Sequence, residues 1–479
     1  MKAGVNTEAS RRSVLKGLGA TAAASVFAAS RHALAQKKSI RVLVVADPFY
    51  YALNGVAGQF REETGIEASI ESLSYDALQA RLVSSFVSGQ PDADVISVDN
   101  IWLGQYLESK WIKPLNSLVK ADKDVHFKDF IPGVLYSLSL WKGQLGTLPI
   151  APYGMGVMYR KDFIDSAGIK IPSDGSWTWQ EYLETIKKLS GQKFDGKPMA
   201  GSVVAGSQPA PIVHMFTQLS ASMGTRWFKH FPEAPWDFEP TIASPENIEA
   251  IKIFTEIYKN SPPESVNYNW FDAGMRFAKG DIGMFYWWSA YFYLCRKDGY
   301  MSGKDSIVAD KMEIVPIPHS DHPQVGSTGG WSLGITANSA AQDEAWTFVK
   351  WAASAKIQKA MALYDKYGHQ FSDFARRSLY QDADLLKIYP YLPGQLVGLE
   401  AGNGKISRPG VPTYTTLESI YGLNLNKVLS GSMSAEDCVK ETALLWTNVL
   451  KGNFMIPYGL QSYDDTPEAA KELIASLSS

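Results

Sequence analysis

Residues 40–98 read IRVLVVADPFYYALNGVAGQFREETGIEASIESLSYDALQARLVSSFVSGQPDADVISV, and the way polarity alternates along them decides the fold class. Ile40 to Val45 is a short continuous apolar run, the pattern of a buried strand, and Ala52 to Thr64 has helical periodicity that stops at Gly65. Ile66 to Ile70 reads as the next strand. A helix from Asp76 to Ser88 follows, because Leu78, Leu82 and Phe86 recur on one face ahead of Gly89, and Asp94 to Val98 supplies a third strand. This βαβαβ rhythm predicts an α/β protein with a parallel sheet covered by helices. Ligands approach such sheets at the carboxyl ends of the strands. The loops Asp47-Pro48-Phe49-Tyr50-Tyr51 and Asp99-Asn100-Ile101-Trp102 are therefore the first candidate binding loops, each pairing polar groups with broad rings.

A second α/β block begins after Pro149. Gly156 to Tyr159 is strand-like, and Thr178-Trp179-Gln180-Glu181 is a capping box that opens a helix with Tyr182, Leu183, Ile186 and Leu189 on its apolar face. Another helix starts at Ser244-Pro245 and buries Ile251, Phe254 and Tyr258. The last third is mainly helical, from Ala341 through Gln358 and from Ser434 to Leu450, with Pro- and Gly-rich connections over 390–410.

At the other end, Arg11-Arg12 precedes Ser13-Val14-Leu15-Lys16 and an Ala/Gly-rich run closing with Ala33-Leu34-Ala35. This reads as a twin-arginine signal peptide over residues 1–35, cleaved before Gln36. No Cys follows the cleavage motif, so the expected product is an exported, soluble periplasmic protein without a lipid anchor. Losing the leader removes five basic residues and one acidic one, which takes the net charge from -3 to -7 and argues against a nucleic-acid partner. At 479 residues and 45% hydrophobic content the chain is long enough for two lobes. Its two cysteines, Cys295 and Cys438, cannot build a zinc ribbon or an iron–sulfur cluster by themselves. They allow one disulfide, or two buried thiols.

Gly143-Gln144-Leu145-Gly146-Thr147-Leu148-Pro149, followed by Gly156-Val157-Met158-Tyr159-Arg160-Lys161-Asp162, resembles the family 1 extracellular solute-binding proteins of the maltose-binding-protein type. Ala167-Gly168, Pro172, the helix start at Thr178, Phe277 to Phe285, Ser327 to Ile335, Glu344 to Phe348 and Ser407-Arg408-Pro409 to Tyr414 extend the likeness in order along the chain. Gly283 and the bulky Tyr286-Trp287-Trp288 depart from the family's pattern and bear on the shape of the pocket. The resemblance implies a type II-like periplasmic-binding-protein fold with a ligand cleft at a hinge. It implies crossings near Pro149 to Tyr153, Pro316 to Gly330 and Tyr367 to Phe371. One lobe would then hold 36–150 and about 326–370, the other 151–325 and about 371–479. It further implies a substrate-binding protein of an ABC importer, a monomer that uses no cofactor and delivers a sugar, oligosaccharide or polyol to membrane permease subunits.

A sugar presents hydroxyls at its rim and apolar C–H faces, so its cleft needs polar groups that bond in pairs and rings that cover a face. With 14 Trp and 23 Tyr, rings are plentiful, but cores use them too, so position has to decide. Trp287 and Trp288 are adjacent on an extended segment and point opposite ways, so one of them is expected to meet solute. Trp331 follows Gly329-Gly330, where absent side chains let solute approach the backbone, and Gly330 itself is a candidate. Tyr153 lies in the first crossing. Asp47, Asn100 and Arg408 are the polar candidates, each with a bland alternative as a helix N-cap, a turn residue and a surface ion pair. Tyr50 and Trp102 complete the set, though for Trp102 a place in the core of the helix that follows is the favoured reading.

Two other patterns carry less. His319 and His322 flank Asp321 in a loop that reads as solvated rather than metal-binding. Gly398 to Lys405 fails as a phosphate loop because five residues separate its glycines and Ile406 stands where Ser or Thr is required. No nucleophile elbow or dinucleotide fingerprint is present, and the resemblance implies a protein that is not an enzyme. The rivals are a secreted carbohydrate-active enzyme and an anion- or ferric-ion-binding protein of the same fold, the latter suggested by Tyr50-Tyr51.

Overall fold

The computed structural model describes residues 38–296, 306–318, 326–366, 368–451 and 459–478; the leader and the His319–His322 loop lie outside them, as does Tyr367. The opening stretch folds as its pattern dictates: β1 (Ser39–Val45), α1 (Pro48–Thr64), β2 (Glu67–Leu73), α2 (Tyr75–Val87), β3 (Val95–Asp99) and α3 (Asn100–Glu108) follow in order. Gly65 ends α1 at φ 71, a conformation that costs a glycine little. Beyond these elements come β4 (Leu148–Tyr153), β5 (Met155–Arg160), β6 (Met284–Trp288), β7 (Met312–Pro316) and β8 (Gly329–Ile335).

The strands form two principal sheets. The first has the order β2-β1-β3-β8-β4, and the second β6-β5-β7. β1 is parallel to β2 and β3, as the βαβαβ rhythm requires, whereas β8 runs antiparallel to both β3 and β4. The sheet is thus mixed, and the parallel expectation holds only for its first three strands. The exception has a topological cause: β8 returns from the second block instead of arriving through a crossover helix.

Passage between the sheets is abrupt. Only Gly154 separates β4 from β5, and it is tied to the neighbouring strand end: Ser289 N–H donates to the Gly154 carbonyl at 2.8 Å, and Gly154 N–H donates to Ser289 Oγ at 3.2 Å. The Ser289 hydroxyl in turn donates to the buried Asp373 carboxyl, which also accepts from Gln395 Nε2 at 2.5 Å.

In the second block, α4 (Trp179–Leu189) carries the predicted capping box, with Glu181 N–H donating to Thr178 Oγ1 at 3.1 Å and Thr178 N–H donating to Glu181 Oε2 at 2.7 Å. α5 (Ala210–Ser222), buried along its whole length, packs against α6 (Pro245–Lys259) and the C-terminal α8 (Tyr414–Leu429); α7 (Trp270–Ala278) precedes β6, and α9 (Ala435–Val449) packs on α8. Cys438 on α9 is a buried free thiol, pushed up to about 12 by loss of solvent, so it takes no part in the disulfide that the cysteine count allowed. The single helix expected from Ala341 through Gln358 is two, Gln342–Ala352 and Ala355–Leu363, because Ser354 restarts it by accepting from Ile357 N–H at 3.3 Å.

Residues after 370 touch both blocks. Arg376 lies 3.6 Å above the Phe130 ring and donates to the carbonyls of His126 and Ala353 at 2.8 and 2.7 Å, on the first-sheet side. Tyr391 packs on Phe292 of the second block.

Gly330 sits at φ 105, and a Cβ there would lie 2.2 Å from the Ala151 carbonyl oxygen across the β8–β4 pair. Gly330→Ala is therefore expected to cost about 1–3 kcal/mol from backbone strain alone, with the clash adding to it. Chemical denaturation checks this; an unchanged midpoint would remove the claim of a required glycine.

Candidate functional site

A cavity of about 290 Å³ opens where the carboxyl ends of β1, β2 and β3 face the second block. Asp47, Tyr153, Trp288, Gly330, Trp331 and Arg408, six of the ten sequence candidates, line it. They arrive from separate elements: Asp47 from the β1–α1 junction, Tyr153 from the end of β4, Trp288 from the end of β6, Gly330 and Trp331 from β8, and Arg408 from the return segment.

Asp47 occupies the N-cap position of α1, yet its side chain makes no cap hydrogen bond. The carboxylate turns instead into the cavity, where Trp331 Nε1–H donates to Oδ2 at 2.8 Å. The register of β8 against β3, with Trp331 opposite Asp99, holds the indole there. Loss of solvent is the main influence on Asp47 and pushes its pKa up to about 6; the hydroxyl of Tyr153 and the Trp331 indole oppose that rise, and the Asp99 charge adds to it. Tyr153 makes no well-formed hydrogen bond with its buried hydroxyl, which leaves that donor beside Asp47 open to a guest.

Arg408 is a buried cross-link, 1% exposed, not a surface ion pair. Its Nη2 donates to Asp99 Oδ2 at 3.0 Å and to His214 Nε2 at 2.8 Å, and its Nη1 donates to Asn100 Oδ1 at 2.9 Å. Because a guanidinium offers only donors, His214 Nε2 must present its lone pair and the imidazole must be neutral. Burial and the Arg408 charge both push His214 well below its usual range, in agreement with that tautomer. Glu418 Oε1 lies 3.1 Å from the same nitrogen, and burial raises the Glu418 carboxyl to about 7. Tyr75 completes the cluster by donating to Asp99 Oδ2 at 2.9 Å.

The remaining candidates do not line the cavity. Asn100 sits behind Arg408 as its acceptor. Trp102 is fully buried beneath the site, its ring 5.7 Å from Trp331 and 5.2 Å from Tyr75. Trp287 points away from Trp288, as alternation along a strand demands, and donates to the Trp270 carbonyl at 3.3 Å. Tyr50 packs on Tyr51 with ring centroids 5.2 Å apart. Among the described residues, no group of three or more His, Cys, Asp or Glu side chains is placed to hold a metal ion.

Several cavity residues escaped the sequence reading. Tyr75 follows the carboxyl end of β2, so the rule that pointed to Asp47 and Asp99 applied there as well. Trp270 starts α7 behind an Asn269 capping box, a local signal that marks a helix end and not a wall. His214 lies on a helix buried all round, where no periodic stripe distinguishes the face turned to the site.

Residues 46–359 match the family model for bacterial extracellular solute-binding proteins. A probable amino-acid ABC transporter periplasmic-binding protein of Sinorhizobium fredii is 24% identical over 367 residues, covering 76% of this chain and 78% of that protein. The mannitol-binding protein of Pseudomonas aeruginosa is 23% identical over 393 residues, covering 77% and 82%. Among solved structures, an ABC transporter solute-binding protein of Agrobacterium radiobacter K84 in complex with ribitol is 26% identical with a TM-score of 0.76, covering 86% of this chain and 98% of that one. The architecture is the two-lobe periplasmic-binding-protein fold, and by sequence and structure the chain belongs to the bacterial extracellular solute-binding proteins.

Proposed function

We propose that the protein captures a small polyhydroxylated solute, a sugar or polyol, in the cavity between its lobes and hands it to the permease subunits of an ABC importer. The observation that carries this reading is the meeting of an uncapped carboxylate, an open phenol and two tryptophan faces in one cavity. A polyol supplies the complementary set, with hydroxyls that donate to Asp47 and C–H faces that cover Trp288 and Trp331. Relatives that bind mannitol and ribitol support the same solute class.

The chain acts as a monomer in the periplasm after removal of residues 1–35. Among the described residues no helix is long and apolar enough to cross a membrane. It makes and breaks no bond. One lobe comprises the first-sheet block and the other the second-sheet block, with the final crossing spread over about residues 390–413, since Gly404 N–H still donates to Ser137 Oγ on the first-sheet side at 3.1 Å.

Titration of the mature protein with ribitol, mannitol, glucitol and maltose, followed by tryptophan fluorescence, is expected to give a saturable change for at least one of them. The ligand should be recovered unchanged from the complex. No response to any member of the series would sink the solute class, and consumption of excess ligand would favour the carbohydrate-active enzyme.

A further inference from the structure

The charge of the cavity is out of balance. Asp47 has no Lys or Arg partner among the described residues; it accepts from a neutral indole, with the Tyr153 phenol nearby. Arg408, the one Lys or Arg that lines the cavity among the described residues, already serves Asp99, Asn100 and His214. His214 is neutral. A third carboxylate, Asp76, is exposed at the rim. Among the described residues the cavity therefore presents more anionic than cationic groups, within walls built largely from aromatic rings.

Those walls suit a cation. Tyr75 lies between Trp270 and Trp331, at ring-centroid distances of 5.2 and 5.8 Å, so three aromatic rings crowd the cavity that the carboxylate enters. A hydroxyl satisfies the lone pairs of a carboxylate but leaves its charge uncompensated in a partly dry site. An ammonium group satisfies both and gains attraction from the ring faces. Resting on the polyol reading above, we propose that the preferred solute is an amino sugar or amino polyol whose protonated amine sits against Asp47 and the Tyr75–Trp331 rings.

The test compares two compounds that differ by one group, 1-amino-1-deoxy-D-glucitol and D-glucitol, together with the N-acetyl derivative of the first, by calorimetry on the mature protein at pH 7.5. The amine is expected to bind at least tenfold more tightly than the alcohol or the amide. That preference should shrink on going to pH 5, where Asp47 takes up a proton. Asp47→Asn, which keeps an acceptor for the Trp331 indole, is expected to abolish the preference while retaining a native melting transition. If the neutral polyol binds as tightly as the amine or more tightly, the amine assignment is wrong and the polyol reading stands. Were none of the three to bind, and the sugars of the fluorescence series also to fail, both would fall. The wild-type comparison decides the matter even if the variant does not fold.

Discussion

Arg408→Met is expected to lower the stability of the protein by about 3–5 kcal/mol, the cost typical of removing one partner from a buried charged pair. Asp99 would keep only the 2.9 Å hydrogen bond from Tyr75, while Asn100 Oδ1 and the His214 lone pair would lose their donor altogether. Met fills much of the volume but supplies none of the donors. Solute affinity should fall as well, because Arg408 joins the β3–α3 junction to α5 and so fixes one wall of the cavity against the other. Arg81 provides the contrast: it pairs with Glu71 and Asp92 on the surface, and its replacement by Ala should cost under about 1 kcal/mol. Urea denaturation of both variants checks the ranking. Equal midpoints would mean that the buried cross-link contributes nothing beyond its bulk.

The solute-free protein is also expected to become more stable as pH falls from about 8 to about 6. Three buried carboxyls have folded-state pKa values above their ordinary ones: Asp47 at about 6, Glu418 at about 7 and Asp373 at about 8. Desolvation is the leading cause in each case. For an acid raised on folding, the native state binds the proton first. Stability is therefore greatest below the unfolded value and is lost as pH rises through the folded one. Glu418, shifted from 4.5 to about 7, contributes on the order of 3 kcal/mol by this route. His214 works in the opposite sense, because its folded value lies well below 6.5, so the stability it contributes is lost on further acidification. The melting temperature should rise from pH 8.5 through pH 6 and go on rising towards about pH 4.5, where the unfolded carboxyls take up their protons as well, with His214 offsetting part of the gain below about pH 6.5. Asp373→Asn should remove the upper part of that rise. A wild-type melting temperature that climbs with pH across this range would contradict the assignment.

Much of the fold could be read from residue patterns because the first five elements obey local rules. Leu78, Leu82 and Phe86 fix the buried face of α2, and Gly65 ends α1 as a glycine in the left-handed region does. The antiparallel arrival of β8 was not legible, since pairing between Trp331 and Asp99 spans more than two hundred residues and leaves no periodic trace. The same division holds at the cavity. Asp47 and Trp331 were legible from loop position and from neighbouring glycines. The alternation that separates Trp287 from Trp288 was legible too, though not which of the two faces inward. Arg408 lines the cavity, but its work as an internal tie depends on Asp99 and His214, which lie 309 and 194 residues away in sequence. Trp102 shows the opposite difficulty: a ring just after a binding loop satisfies the rule for a site as well as the rule for a core.

The passage at Gly154 bears on mechanics. Since Gly154, the link from the first sheet to the second, is fastened to Ser289 at the end of β6, the β4–β5 crossing and the end of β6 behave as one band and not as two independent cords. A turn of one half against the other must then twist that band as a unit, which favours a swing about a single axis over a loose wobble. The Asp373 carboxyl, which accepts from both Ser289 and Gln395, anchors the band from behind.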